Sequence, residues 1–218
     1  MTKAPALNET TNEPLRLAGS TLTHSCHVCA LFNSAEEKYR VLMPFIKDGI
    51  EKGDRSFHIV DPKYRDQHVR QLEQEGIDVA EAEANGRLEV HPWEEAYTKD
   101  DQFDQYRMLE LVKDEIAKQQ PGEITRFVGN MEWALQDLPG VEDLLEYETR
   151  LNQFLPQYRD PVVCCYDLLQ FDSSIVIDIM RTHPMVIIGG ILQENPFYVP
   201  PEEMLKELQE RRTEKIAG

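Results

Sequence analysis

"HVCALFNSAEEKYR", residues 27–40, decides the fold. The run from His27 to Phe32 is almost wholly apolar, as in a strand buried on both faces. From Ala35 onward, apolar and charged residues alternate with helical spacing. A strand that turns directly into a helix is where nucleotide-binding proteins place a phosphate loop. Such a loop needs glycines, so that successive N–H groups turn inward, and a lysine and hydroxyl for phosphate and magnesium. Here the junction is Asn33-Ser34-Ala35-Glu36-Glu37, and no glycine follows until Gly49. Asn33 or Ser34 can cap the helix, and Glu36 and Glu37 place carboxylates at its positive end, where they repel a polyanion. ATP hydrolysis is not expected at this corner.

Outward from this unit the pattern repeats. "CHVCALF", "SFHIV", "RLEVH", "ITRFVGN", "PVVCCYD" and "MVIIGGIL" read as strands, and residues 35–52, 62–75, 103–119, 141–156 and 172–182 read as helices. Regular alternation predicts an α/β fold of three layers, a mostly parallel sheet with helices on both faces. Gly189-Gly190 predicts a tight turn into a short antiparallel pair near the C-terminus, and "NPFYVPPEE" opens a terminal helix with prolines at its first turn. Residues 1–21, polar with scattered Pro, Asn and Thr, read as a mobile tail. Residues 22–210 read as one domain and 211–218 as a C-terminal tail.

Lys and Arg number 23 against 40 Asp and Glu, a formal net charge of -17, which disfavours direct binding to nucleic acid or an anionic membrane. The first 22 residues lack the apolar core of a signal peptide, and "MVIIGGIL" is too short to span a bilayer, so a cytoplasmic location is expected. Cys26, Cys29, Cys164 and Cys165 then read as reduced thiols rather than a disulfide framework.

Ligands of open α/β sheets bind at the carboxyl ends of strands. That rim is expected to carry Asn33 and Ser34, then Asp61, then His91 and Trp93, then Asn130 to Trp133 with Glu132 between them, and finally Tyr166 and Asp167. His24, Cys26, His27 and Cys29 suggest a metal set, but strand alternation sends His24 with Cys26 one way and His27 with Cys29 the other. Only a pair could then share an ion, completed by a residue such as Cys164 or Cys165. Packing as small core residues is the favoured reading, and neither metal nor cofactor is expected. In "VEDLLEYETRLNQFL" the helical stripe of Val141, Leu144, Leu145, Leu151 and Leu155 also carries Glu148, which must be paired or neutralised, and Arg126 in "ITRFVGN" is one candidate partner. His58 and His183 read as lone hydrogen-bonded core histidines, and no spacing of Ser, His and Asp identifies a triad.

The blocks "HVCALFNSAEE", "PFIKDGIEKGDRSFHIVD", "GRLEVHPWEEAY", "FDQYRML", "TRFVGNMEWAL", "PGVEDLLEYETRLN", "DPVVCCYDLLQF" and "RTHPMVIIGGILQENPFYVPPEE" together resemble the MEDS family of sensory domains over about residues 24–205. The resemblance implies a fold like that of the RecA and KaiC ATPases with a degenerate nucleotide site. It also implies sensing of small organic compounds such as hydrocarbon derivatives, relayed to a DNA-binding or histidine-kinase module. Positions that carry the family pattern are His27, Cys29, Ser34, Glu37 and Glu132, then Tyr147, Glu148, Asn152, Tyr166 and Asp167, and lastly His183, Pro184 and Asn195. No catalytic set transfers with them. The chain has no helix-turn-helix or kinase segment, so output is expected through a separate protein.

The resulting expectation is a non-catalytic signalling domain. It binds a small, largely apolar organic molecule, with Trp93, Trp133 and Tyr166 giving contact area and Glu132 and Asp167 orienting polar atoms. The alternatives are a ligand-free interaction module, and a residual nucleotide binder or a metal or redox sensor using Cys29, Cys164 and Cys165. Homo-oligomers are compatible with either.

Overall fold

A computed structural model describes residues 14–22 and 27–217. Its centre is a seven-stranded sheet in the order β5-β4-β6-β7-β3-β8-β9. The strands are β3 (His27–Phe32), β4 (Arg55–Val60), β5 (Leu88–Pro92), β6 (Thr125–Asn130), β7 (Val162–Asp167), β8 (Met185–Ile188) and β9 (Ile191–Glu194). All pairings are parallel except β8 with β9, which turn antiparallel through Gly189-Gly190, both at positive φ. This is the two-glycine hairpin expected from the sequence.

Strand alternation sorts the core into two halves. Val28, Ala30 and Phe32 of β3, with Val128 of β6 and Cys165 of β7, face α1 (Ala35–Lys52), α2 (Arg65–Gln74) and α3 (Val79–Ala84). Cys29 and Leu31, with Phe127, Cys164 and Tyr166, face α4 (Gln105–Ala117), α5 (Leu144–Phe154) and α6 (Ser173–Arg181). Helices lie on both sides, so the interior strand β3 is buried along its whole length.

Two segments differ from the sequence reading. Residues 15–21, expected within a mobile tail, form with Leu22 a hairpin of β1 (Leu15–Leu17) and β2 (Ser20–Leu22) turning at Ala18-Gly19. Its leucines 15, 17 and 22 are buried on the α1 side, each worth about 1.5–3 kcal/mol when fully buried. The period-two signal in "LRL" was hidden by the polar residues around it. At the other end α7 (Pro201–Ala217) runs through most of the expected C-terminal tail, and Arg211 and Arg212 hold it to Asp178, Asp143 and Glu146. His24 and Cys26 lie outside the described residues. Among the described residues no helix is long and apolar enough to cross a membrane.

Candidate functional site

At the carboxyl ends of β3, β4, β6 and β7 a cavity of about 330 Å³ opens against the first turns of α1. The local sequence explains its shape. Ser34 caps α1, its Oγ accepting from the Glu37 N–H at 3.1 Å, while the Asn33 N–H and side-chain amide donate to Glu37 Oε2 at 2.8 and 3.2 Å. This variant of the capping box, in which Glu37 accepts from Asn33 rather than from the N-cap N–H, fills the helix end with the chain's own groups. Lys38, one turn further on, lines the cavity and donates to Asn130 Oδ1 at 3.2 Å.

Of the rim residues expected from sequence, Ser34, Asp61, Asn130, Glu132, Tyr166 and Asp167 line the cavity. Asp61 and Asp167 are engaged in local turns, accepting from the Lys63 N–H at 2.9 Å and from the Leu169 N–H at 2.9 Å. Glu132 is different: its Oε2 is buried without a hydrogen-bond partner. Burial pushes its carboxyl above the ordinary value, Lys38 opposes the shift, and Asp167 and Asp61 add to it.

Four residues expected on the rim are not in this cavity. Asn33 is exposed and folded back onto Glu37. Trp93 and Trp133 belong to the core on the α5 side, where Trp133 stacks on Tyr97 at 4.7 Å and packs against Phe103 at 4.4 Å. A 3-10 turn over Glu132–Leu135 rotates successive side chains apart, sending Glu132 to the cavity and Trp133 to the opposite side of the sheet. His91, at the end of β5, sits between Glu89 and Glu95, away from the cavity, and the hydrogen bond that it donates to Glu89 raises its pKa.

Sequence reading missed Lys38, Tyr39, Tyr64, Gln67, His68 and Gln170, which also line the cavity. Beneath it runs a chain of groups: the Tyr39 hydroxyl lies 3.0 Å from His68 Nδ1, and His68 Nε2 lies 2.9 Å from His58 Nδ1. Burial lowers the His58 pKa to about 4 and that of His68 well below 6.5, so both rings are neutral near pH 7. One signal for Lys38 was present, since a cation in the first turns of a helix opposes the macrodipole and calls for another reason to be there.

The expected Glu148–Arg126 pair does not form. Arg126 shares a strand face with Val128 and so points toward α1, whereas Glu148 lies on α5, across the sheet. The guanidinium bonds Asp54 and Asp48, each at 2.9 Å, and the Phe45 carbonyl. Glu148 is completely buried among His27, His183, Cys164 and Tyr166. Burial raises its pKa, but the two histidines win and hold the carboxyl well below the usual range.

Other pattern positions lie in the same core or tie the strands to it. Cys29 and Tyr147 are buried in the same half of the core. Asn195 donates to the Met180 and His183 carbonyls, each at 2.7 Å, tying the end of β9 to the turn before β8.

Comparison with known proteins gives a consistent picture. The crystal structure of the flagellar accessory protein FlaH from Methanocaldococcus jannaschii superposes with a TM-score of 0.51 at 13% identity, covering 80% of this chain and 78% of that one. The likeness supports the RecA-like fold class. The transcriptional repressor DcmR of Methylorubrum extorquens is 26% identical over 170 residues, 77% of this chain, and the match spans 62% of the repressor's length. The family model for the MEthanogen/methylotroph, DcmR Sensory domain matches residues 26–184, and the chain therefore belongs to the MEDS family.

Proposed function

We propose that this sensory domain is non-catalytic, that it binds a small organic molecule in the cavity between α1 and the carboxyl ends of β4, β6 and β7, and that occupancy is relayed to a signalling or transcriptional partner. The observation that carries the reading is Glu132 Oε2, buried and unbonded in the wall of a 330 Å³ cavity beside a lysine. A buried acceptor without a partner costs about 1–3 kcal/mol, which a ligand hydroxyl or amine donor would recover. Phe32, Val60 and Tyr39 offer apolar area for a short hydrocarbon part. The capping box supports a degenerate nucleotide site, because carboxylates occupy the helix end that would receive phosphate. Membership in the MEDS family supports the sensory role, and the repressor relative supports a regulatory context.

Native mass spectrometry of freshly purified protein, with a thermal-shift panel of short-chain alcohols, amines and halogenated hydrocarbons, tests the reading. A retained organic mass, or a rise in melting temperature that Glu132→Gln and Lys38→Met remove, is the expected result. A clean mass with no response across the panel, or magnesium-dependent ATP turnover, would overturn it.

A further inference from the structure

On the face of the sheet away from the cavity, four buried side chains from four segments converge: His27 of β3, Glu148 of α5, Cys164 of β7, and His183 just before β8. Their ligand atoms all lie within 4.8 Å of one another. Glu148 Oε2 is 3.1 Å from His27 Nε2, 3.4 Å from His183 Nε2 and 3.5 Å from Cys164 Sγ, and Cys164 Sγ is 3.6 Å from His27 Nε2. A tetrahedral zinc ion with ordinary bond lengths sets its ligand atoms about 3.3–3.6 Å apart. The four separations from Glu148 Oε2 and from Cys164 Sγ to His27 are close to those dimensions, within a cluster that spans no more than 4.8 Å.

Hydrogen bonds on the far side of each ring fix the tautomers. Asn152 Nδ2 donates to the Glu148 and Thr182 carbonyls, so its Oδ1 accepts from His27 Nδ1 at 3.0 Å. His183 Nδ1 donates to the Ile179 carbonyl at 2.9 Å. Both Nε2 atoms are thereby turned inward, toward an acceptor-only carboxylate oxygen. An imidazolium at His27 would satisfy one of them, because that contact has hydrogen-bond geometry. It leaves His183 Nε2, fully buried and without a hydrogen bond, aimed at the same point. A divalent cation satisfies both lone pairs together.

We propose that His27, Glu148, Cys164 and His183 form a closed zinc site. Two imidazoles, a carboxylate and a thiolate suit a borderline ion, and the two anionic ligands neutralise its charge in a region that excludes water. The outer contacts are those of a metal site: Asn152 and the Ile179 carbonyl orient the rings, and the Tyr166 hydroxyl donates to Glu148 Oε1. With four protein ligands and no open position, the ion would clamp β3, β7, α5 and the turn before β8 together. The inference does not rest on ligand binding in the cavity.

Zinc content of the purified protein, and replacement by Co²⁺ after chelation, provide the test. Stoichiometric zinc is expected, and the Co²⁺ form should show tetrahedral visible absorption with a thiolate-to-cobalt charge-transfer band. Cys164→Ser should abolish that band. His183→Ala should weaken Co²⁺ binding by about 10-fold or more, whereas His91→Ala should leave it unchanged. If Cys164→Ser fails to fold, replacing Cys26, Cys29 and Cys165 together by Ser leaves Cys164 as the only thiol, and the band should persist. Protein that stays metal-free in zinc-replete medium and gives no Co²⁺ absorption would overturn the proposal, as would a band that survives Cys164→Ser or is lost in the triple variant.

Discussion

Arg126 is 1% exposed and holds Asp48 and Asp54 beneath α1. Removing its charge leaves Asp48 with Lys52, 3.0 Å away, and takes from Asp54 the guanidinium that it bonds on a partly desolvated surface. Arg126→Met should cost about 2–3 kcal/mol in urea denaturation, at the low end for a broken buried pair because Asp48 is 34% exposed. Combined with Glu148→Gln, the losses should add to within about 0.5 kcal/mol, since the two groups lie on opposite faces, and a larger coupling would contradict the separation. The parity of Arg126 along its strand was legible in "ITRFVGN", but the face that α5 covers was not, because local sequence does not say which helix crosses which side. The same limit applies at Trp133, placed on the rim with Glu132 because both follow the strand, whereas the 3-10 turn there sends the two side chains apart. Glu148 was correctly read as a carboxylate in need of a partner; its partners came from β3 and the turn before β8, far away in sequence.

In α1, Gly49 packs against Arg126 of β6, and a Cβ there would sit 2.6 Å from Arg126 Cδ and Nε. Glycine to alanine inside a helix ordinarily stabilises by about 0.5–1 kcal/mol. Here the sign should reverse, with Gly49→Ala destabilising by about 1–3 kcal/mol as the guanidinium is displaced, and a raised melting temperature would refute the packing. At this scale the sequence was most informative. The helix expected at 35–52 is α1, and each expected strand exists to within a residue or two, because long periodic segments between glycines and prolines leave few alternatives. The missed elements are short: α3 has six residues, mostly Ala and Glu, and each strand of the N-terminal hairpin has three, too few for a period to stand out.

Across the molecule, the buried neutral histidines make stability depend on pH. In the unfolded chain His58 and His68 titrate near 6.5, while burial holds the folded values at about 4 and well below 6.5, with His58, Lys38 and Arg65 adding to the shift at His68. Between those values the unfolded state binds more protons, so this contribution is fully present above 6.5 and is lost as the pH falls toward 4. Urea midpoints should drop from about pH 7 to about pH 4.5, and more shallowly for His58→Gln; parallel profiles for the two proteins would exclude the histidine pair as the cause. The three-layer order was legible from alternation alone, whereas the cavity was only half legible, since its floor comes from α1 and α2 and depends on how those helices lie across the strands. One strand joins the two chemical regions. Successive side chains of β7 go to opposite sides of the sheet, Cys164 and Tyr166 toward the histidines and Cys165 toward the cavity, and Tyr166 also lines that cavity while its hydroxyl holds Glu148. A stiff ribbon anchored on one side cannot be pushed from the other without straining its anchor, so any displacement of the cavity wall along β7 would bear on the imidazoles behind it.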